Sequence, residues 1–291
     1  MRYAYYPGCS LHSSTAKEYD HSMRAVSCAL GMELTEVKGW FCCGSTAAHS
    51  VSRLLGTALP LGNLAAMRRM GMDEVIVPCP SCLSRFKSAL HRVENEPELK
   101  TQIAEVVEGE YSAQIYHPLQ AFSSTTMLDA IANARNRKIE GLKVVCYYGC
   151  LLTRPPEVAL FDDIEYPQSM DNVLRAADIQ TLDWSYKTDC CGASLALTEK
   201  NIVLKLCHDI LKGAKDVGAD AIAVACPLCQ VNLDTRQQEI EKKYGERYQL
   251  PILYFTQLLG LTFGLSPKEL MLEKHFVVSK IRITEAAQNA R

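Results

Sequence analysis

The sequence predicts two pseudo-symmetric α/β halves, each a short parallel sheet with flanking helices, followed by a C-terminal helix. Three observations lead there. Ten of the thirteen cysteines fall into two sets with the same order and nearly the same spacing. The residues around corresponding cysteines match. In both halves, short apolar runs alternate with stripes at helical spacing, the pattern of strands and helices wound into a parallel sheet.

The first set is Cys9, then Cys42-Cys43-Gly44, then Cys79-Pro80-Ser81-Cys82. The second is Cys150, then Cys190-Cys191-Gly192, then Cys226-Pro227-Leu228-Cys229. The gaps are 32 and 35 residues in the first and 39 and 34 in the second. YYPGC (5–9) mirrors YYGC (147–150), and VPCPSC (77–82) mirrors ACPLC (225–229). Repeated order and spacing of this kind mark a duplicated unit.

Arg2–Tyr6 and Lys143–Tyr148 read as strands ending near Gly-Cys. Glu74–Val77 and Ala221–Ala225 are short apolar runs, suited to strands buried on both faces. Tyr19, Met23, Val26 and Leu30 form one helical stripe, and Ile202, Val203, Leu206, Cys207, Ile210 and Leu211 another. These elements place an N-terminal domain at 1–125 and a second at 143–265. A linker at 126–142 holds a connecting helix over Thr126–Lys138 and a turn at Glu140-Gly141. Ser266-Pro267-Lys268-Glu269 has the residues of a helix start, so 266–291 is expected as a helical tail.

Composition narrows the function. The 291 residues are 48% hydrophobic and 22% charged with a net charge of −2, which suits a globular core and argues against a nucleic-acid partner. The N-terminus has no apolar signal region. The longest apolar stretch, Leu253–Leu265, is broken by Thr256, Gln257 and Thr262 and falls short of the ~18 residues of a membrane span. A cytoplasmic chain without a direct span is expected, and in that compartment thirteen thiols point to metal or redox chemistry rather than disulfides.

Five thiols per set are more than a structural zinc or an ordinary four-cysteine cluster uses. The ferredoxin run C-x₂-C-x₂-C-x₃-C-P is absent, so something larger or less symmetric is implied, although zinc stays open. Adjacent Cys42 and Cys43 point to opposite faces in extended chain and need a turn to converge, which Gly44 permits, as Gly192 does after Cys190-Cys191. C-P-x-C suits a loop entering a helix, whose free N–H groups can face sulfur. Cys28, Cys146 and Cys207 lie outside the sets and read as small buried hydrophobes.

The doubled pattern resembles the cysteine-rich CCG domain, and a separate chain with two copies resembles the family of the B subunit of heterodisulfide reductase. The resemblance spans about residues 1–263. It implies two non-cubane [4Fe–4S] clusters, one on Cys9, Cys42, Cys43, Cys79 and Cys82, the other on Cys150, Cys190, Cys191, Cys226 and Cys229. It further implies reduction of the coenzyme M–coenzyme B disulfide in methanogenesis, between the two clusters. The implied partners are the ferredoxin-like iron–sulfur subunit of heterodisulfide reductase together with its flavin-containing subunit, and a hydrogenase or formate dehydrogenase behind them. Similar domains in succinate, glycolate and lactate oxidoreductases and in thiol:fumarate reductase imply an alternative, an electron-transfer subunit of a quinone- or dehydrogenase-linked complex.

Disulfide reduction also needs protons and a cationic approach for an acidic substrate. His12, His49 and His117 are candidate proton donors, and Arg85 and Arg154 candidate substrate contacts. On the motif IYHPLQ (115–120), His117 aligns with Phe255 of LYFTQ (253–257), so one half has a titratable group that the other lacks. The two halves are expected to bring their strand ends to a shared cleft.

Overall fold

The computed structural model describes residues 1–13, 15–45, 47–278 and 281–285. Two four-stranded sheets carry the fold, and every pairing within them is parallel. The first contains β1 (Arg2–Tyr5), β2 (Glu33–Glu36), β3 (Glu74–Ile76) and β4 (Gln114–Tyr116) in the order β2-β1-β3-β4. After β5 (Arg137–Ile139), the second contains β6 (Lys143–Tyr147), β7 (Gln180–Leu182), β8 (Ala221–Val224) and β9 (Ile252–Tyr254) in the equivalent order β7-β6-β8-β9. The repeated cysteine pattern is thus a repeated topology, as expected of the two α/β halves.

The four anticipated strands are present, each one residue shorter at its end. Their partners β2, β4, β7 and β9 were not anticipated. In the central strand β8 all four residues are buried, which the apolar run Ala-Ile-Ala-Val explains. The stripe Tyr19, Met23 and Val26 is the buried face of the helix Lys17–Ala29. In the helix Lys200–Asp216 the buried stripe runs through Val203, Leu204, Cys207, Ile210 and Leu211, whereas Ile202 is exposed.

The halves pack helices on one another reciprocally. Lys17–Ala29 of the first packs on Phe255–Thr262 of the second, and Pro118–Phe122 of the first packs on Ser169–Ala176 of the second. In each pairing a helix from between the first and second strands of one half meets the helix that follows the fourth strand of the other. That reciprocity is a pseudo-two-fold relation. Tyr19 stacks on Tyr254 across it at 4.2 Å between centroids, and Ser22 and Thr256 share a 2.7 Å hydroxyl contact.

Two expectations about the linker and tail require correction. The connecting helix covers Thr125–Ala134 only, and Arg137 and Lys138, expected at its end, instead open β5, which pairs antiparallel with β10 (Ile283–Glu285). At Ser266 the capping contacts do form: Glu269 accepts from the Ser266 N–H at 2.7 Å, and Ser266 Oγ accepts from the Glu269 N–H at 3.2 Å. Yet only one turn follows. Met271 takes a left-handed φ of 54°, a 3₁₀ turn spans Leu272–Lys274, and His275 then leaves it in an extended conformation. A cap satisfies the first N–H groups of a helix, but tertiary contacts decide its length. Residues 279–280 and 286–291 of the expected tail helix lie outside the described residues. Among the described residues, no helix is long and apolar enough to cross a membrane.

Candidate metal centres

All ten set cysteines sit beyond the carboxyl ends of parallel strands, the place where open α/β sheets bind ligands. Cys9 and Cys150 follow β1 and β6. The Cys-Cys-Gly turns follow β2 and β7, and the C-P-x-C loops follow β3 and β8. Each C-P-x-C enters a helix, as expected. Cys79 and Cys226 are N-caps, and Pro80 and Pro227 open the helices Pro80–Asn95 and Pro227–Thr235. Proline fits there because a first-turn N–H has no helical partner to lose.

The sulfurs converge within each half. Cys43 and Cys82 lie 3.2 Å apart, and Cys191 and Cys229 lie 3.6 Å apart. Cys9 meets Cys42, Cys150 meets Cys190, and the two thiols of each C-P-x-C meet one another. Close approach of the first loop to the last depends on glycine. Gly8 and Gly149 have φ of 65° and 70°, and a Cβ on either would come within 3.1 Å of Cys82 Sγ or 3.0 Å of Cys229 Sγ. Gly44 and Gly192 turn the adjacent cysteines at φ of 76° and 75°, and their N–H groups point at Cys42 and Cys190 sulfur at 3.4 and 3.3 Å.

The thiols oppose one another electrostatically. Hydrogen bonds from Cys82 and Cys150 hold Cys43 near 7 and Cys190 near 6, with help from the Ser45 and Gly192 N–H groups. Cys79 is likewise lowered, first by Cys82 and then by the N–H groups of Cys82 and Ser81. Their partners move the other way. Cys82 and Cys229 are raised because they donate to neighbouring sulfurs, and Cys150 because it donates to Cys190. Five thiolates therefore do not coexist in one pocket without a compensating cation. A metal centre bound there would supply that charge and deprotonate the thiols that held it. Cys43, Cys82 and Cys79 form one contacting series, as do Cys191, Cys229 and Cys226, beside the pairs Cys9–Cys42 and Cys150–Cys190.

Each centre has a buried floor and an open mouth. Cys43, Cys79, Cys82, Cys191, Cys226 and Cys229 are buried, while Cys9, Cys42 and Cys190 are exposed and Cys150 is half-buried. Of the three cysteines outside the sets, Cys146 and Cys207 are buried as expected. Cys28 is not: it lies exposed near the end of its helix, off the apolar stripe.

The candidate side chains separate clearly. His12 is exposed and packs edge-on against Trp40, and exposed His49 sits on Ser50. Arg154 is half-exposed and faces Glu165 at 3.4 Å. Arg85 is half-buried beside Cys43, where its charge favours the thiolate. Arg85 follows Cys82 by three residues, as Asn232 follows Cys229. Asn232 likewise serves the second adjacent cysteine, donating to the Cys191 carbonyl at 3.1 Å.

His117 needs a double correction. It is fully buried, its Nδ1 accepts from the Leu119 N–H at 3.2 Å, and Nε2 donates to Pro78 O at 3.0 Å and Ala225 O at 3.3 Å. Burial holds it neutral, near 3, so it cannot supply protons near neutrality. Its counterpart is Tyr254, not Phe255. His117 and Tyr254 are equivalent helix N-caps, each three residues before the capping glutamine Gln120 or Gln257. Because Pro78 and Ala225 immediately precede Cys79 and Cys226, one imidazole joins the two C-P-x-C loops across the pseudo-two-fold.

Several supporting residues escaped the sequence reading. The hydroxyls of Tyr6 and Tyr147 donate to the carbonyls just before the adjacent cysteines, Phe41 O at 2.7 Å and Asp189 O at 2.6 Å. Asn63 accepts from the Phe41 N–H at 2.9 Å. The duplicated Tyr before Gly-Cys was the available signal for the first pair. Lys87, half-buried and lowered to about 8 by desolvation, bonds the Ala159 carbonyl across the halves. Three cavities of about 770, 500 and 410 Å³ lie along the linker and tail and are lined by none of the ten cysteines.

Comparison with known proteins agrees with the duplicated architecture. The chain is 28% identical to the 8-methylmenaquinol:fumarate reductase membrane anchor subunit of Wolinella succinogenes, covering 94% of this chain and 96% of that one. It is 27% identical to the B subunit of the ferredoxin/F420H2-dependent CoB-CoM heterodisulfide reductase of Methanosarcina acetivorans, over 85% of each chain. A protein of Archaeoglobus profundus described as like the heterodisulfide reductase B subunit is 25% identical over 92% and 93% of the two chains. Among solved structures, a hypothetical protein from Helicobacter pylori shares the fold with a TM-score of 0.71 at 14% identity, covering 96% of this chain and 52% of that one. The cysteine-rich domain family CCG matches residues 3–87 and 144–234, one match per sheet, and the chain belongs to that family.

Proposed function

We propose that the chain is a redox subunit of a multi-subunit reductase complex, holding one non-cubane [4Fe–4S] cluster in each half. The observation that carries this reading is the gathering of five thiols beyond each of two equivalent sheets. The proposed ligands are Cys9, Cys42, Cys43, Cys79 and Cys82 in one half and Cys150, Cys190, Cys191, Cys226 and Cys229 in the other. Bound there, such clusters supply one-electron exchange and sites where iron can hold sulfur. The chain's own residues shape that chemistry. Gly8 and Gly149 bring the ligand loops together, N–H groups of the Cys-Cys-Gly turns and helix starts offset thiolate charge, and His117 joins the two centres.

The finer proposal is disulfide reduction, with coenzyme M–coenzyme B as the substrate suggested by the heterodisulfide reductase relatives. Cleaving an S–S bond takes two electrons and two protons, and two neighbouring one-electron centres suit it. Exposed His12 and His49 are the proton-donor candidates, and Arg154 and Arg85 the candidates for contact with an acidic substrate. The alternative is electron relay in a quinol-linked reductase. The near full-length match to the fumarate reductase subunit favours that reading.

Purification of the complex containing this chain tests the choice. Reduced viologen oxidised by the heterodisulfide, at a rate lost in Cys42→Ser, supports the first reading. No such turnover, with quinol-linked electron transfer that Cys42→Ser abolishes, supports the second.

A further inference from the structure

Lys187 and Asp171 are both fully buried in the second half and form an ion pair at 2.9 Å. The Lys187 ammonium also donates to Pro167 O at 3.0 Å and lies 4.5 Å from the centre of the Tyr166 ring. Asp171 Oδ2 accepts from the Tyr148 hydroxyl at 2.8 Å, and that hydroxyl accepts from the Met170 N–H at 2.7 Å. The main chain closes the circle: the N–H groups of Tyr148 and Gly149 donate to Lys187 O at 2.8 and 3.1 Å. Tyr148-Gly149 leads straight into Cys150, and Lys187 stands three residues before Cys190. One buried pair thereby holds the approach to the first ligand loop of the second centre against the approach to its Cys-Cys-Gly turn.

Burying two charges costs desolvation that their attraction does not reliably repay, and the best-attested use of such a pair is to fix geometry rather than to add stability. The first half shows what the pair adds. Counted back from the corresponding cysteines, Pro7 stands where Tyr148 does and Gly39 where Lys187 does. Proline has no N–H to donate and glycine no side chain. Asp20 keeps the place of Asp171, accepting from the Tyr5 hydroxyl at 2.7 Å, but its cation is Arg24, half-buried on the same helix. Resting on the cluster reading above, we propose that Lys187 and Asp171 are positioning residues for the second centre alone. They lock the Cys190-Cys191 turn against the Cys150 loop, so that the second centre holds its metal in a geometry its thiols alone would not keep. The first centre lacks this brace.

The combined variant Lys187→Met with Asp171→Asn removes both charges and keeps an oxygen for Tyr148, whereas Lys187→Met alone would strand a buried carboxylate. Iron and acid-labile sulfide are measured first on the unmodified holo complex; their absence would sink the cluster reading itself. With clusters present, a Cys42→Ser background leaves the second centre loaded and a Cys190→Ser background the first. In the Cys42→Ser background, the combined variant should lose iron to a chelator about tenfold faster and show an altered EPR line shape, the scale on which outer contacts tune a metal site. In the Cys190→Ser background, iron release should not change. The melting temperature there should fall by no more than a few degrees, since exchanging a buried ion pair for uncharged groups of similar size is often neutral. Unchanged iron release and line shape at the second centre would overturn the proposal. Faster release from both centres would also overturn it, as would a variant that melts far lower or does not fold, making the pair a general brace of the fold.

Discussion

His117 shows how much one side chain can bind together. Replacing it with Phe leaves the Pro78 and Ala225 carbonyls and the Leu119 N–H without their partner, deep in the protein. The expected cost is about 3 kcal/mol at neutral pH. Its folded pKa of about 3 lies below the ordinary histidine value of 6.5. The unfolded chain therefore takes up the proton first, and the stability this site provides is complete above pH ~6.5 and lost as pH falls toward 3. Melting curves of wild type and His117→Phe should converge across that window, whereas a constant gap would refute neutral burial of the imidazole. A second contrast concerns cysteine. Cys43→Ser should lose metal from the first centre and spare the second, while Cys28→Ser should change neither, as read by iron content and EPR. The set cysteines were legible because their spacing repeats. The function of His117 was not, because its acceptors are 39 and 108 residues away in sequence.

At the scale of elements, the glycine turns are the sensitive joints. Gly149→Ala forces a left-handed φ on a residue with Cβ, at about 1–2 kcal/mol, and sets that Cβ against Cys229 Sγ. It should empty the second centre while the first retains its metal, and Gly8→Ala should do the reverse. Equal loss from both centres would mean that the halves do not assemble separately. The same elements show what could be read from sequence. β1, β3, β6 and β8 announced themselves through apolar runs near Gly-Cys or Cys-Pro. Their neighbours did not: Glu33-Leu34-Thr35-Glu36 and Gln180-Thr181-Leu182 are short and mixed, and become strands by pairing with β1 and β6. The Ser266 cap illustrates the opposite error, in which a local start signal was correct but the tail followed β5 instead of extending a helix.

For the whole molecule, the joined C-P-x-C loops imply that the two centres work as a unit. If they do, Cys190→Ser should abolish turnover of the complex rather than halve it, because independent sites would contribute additively. Retention of half the rate would separate them. The tail provides a further whole-molecule test. Ending the chain before Ile281 removes the partner strand of β5 and one wall of the largest of the three cavities, but touches no cysteine. Such a variant should melt at a lower temperature yet keep its metal, and loss of metal with the tail would show that the tail supports the centres directly. The most direct measurement is the iron and acid-labile sulfide content of anaerobically purified protein. Two clusters require about eight of each per chain, falling to about four in either Cys42→Ser or Cys190→Ser. Stoichiometric zinc with little iron would contradict the paired-cluster assignment.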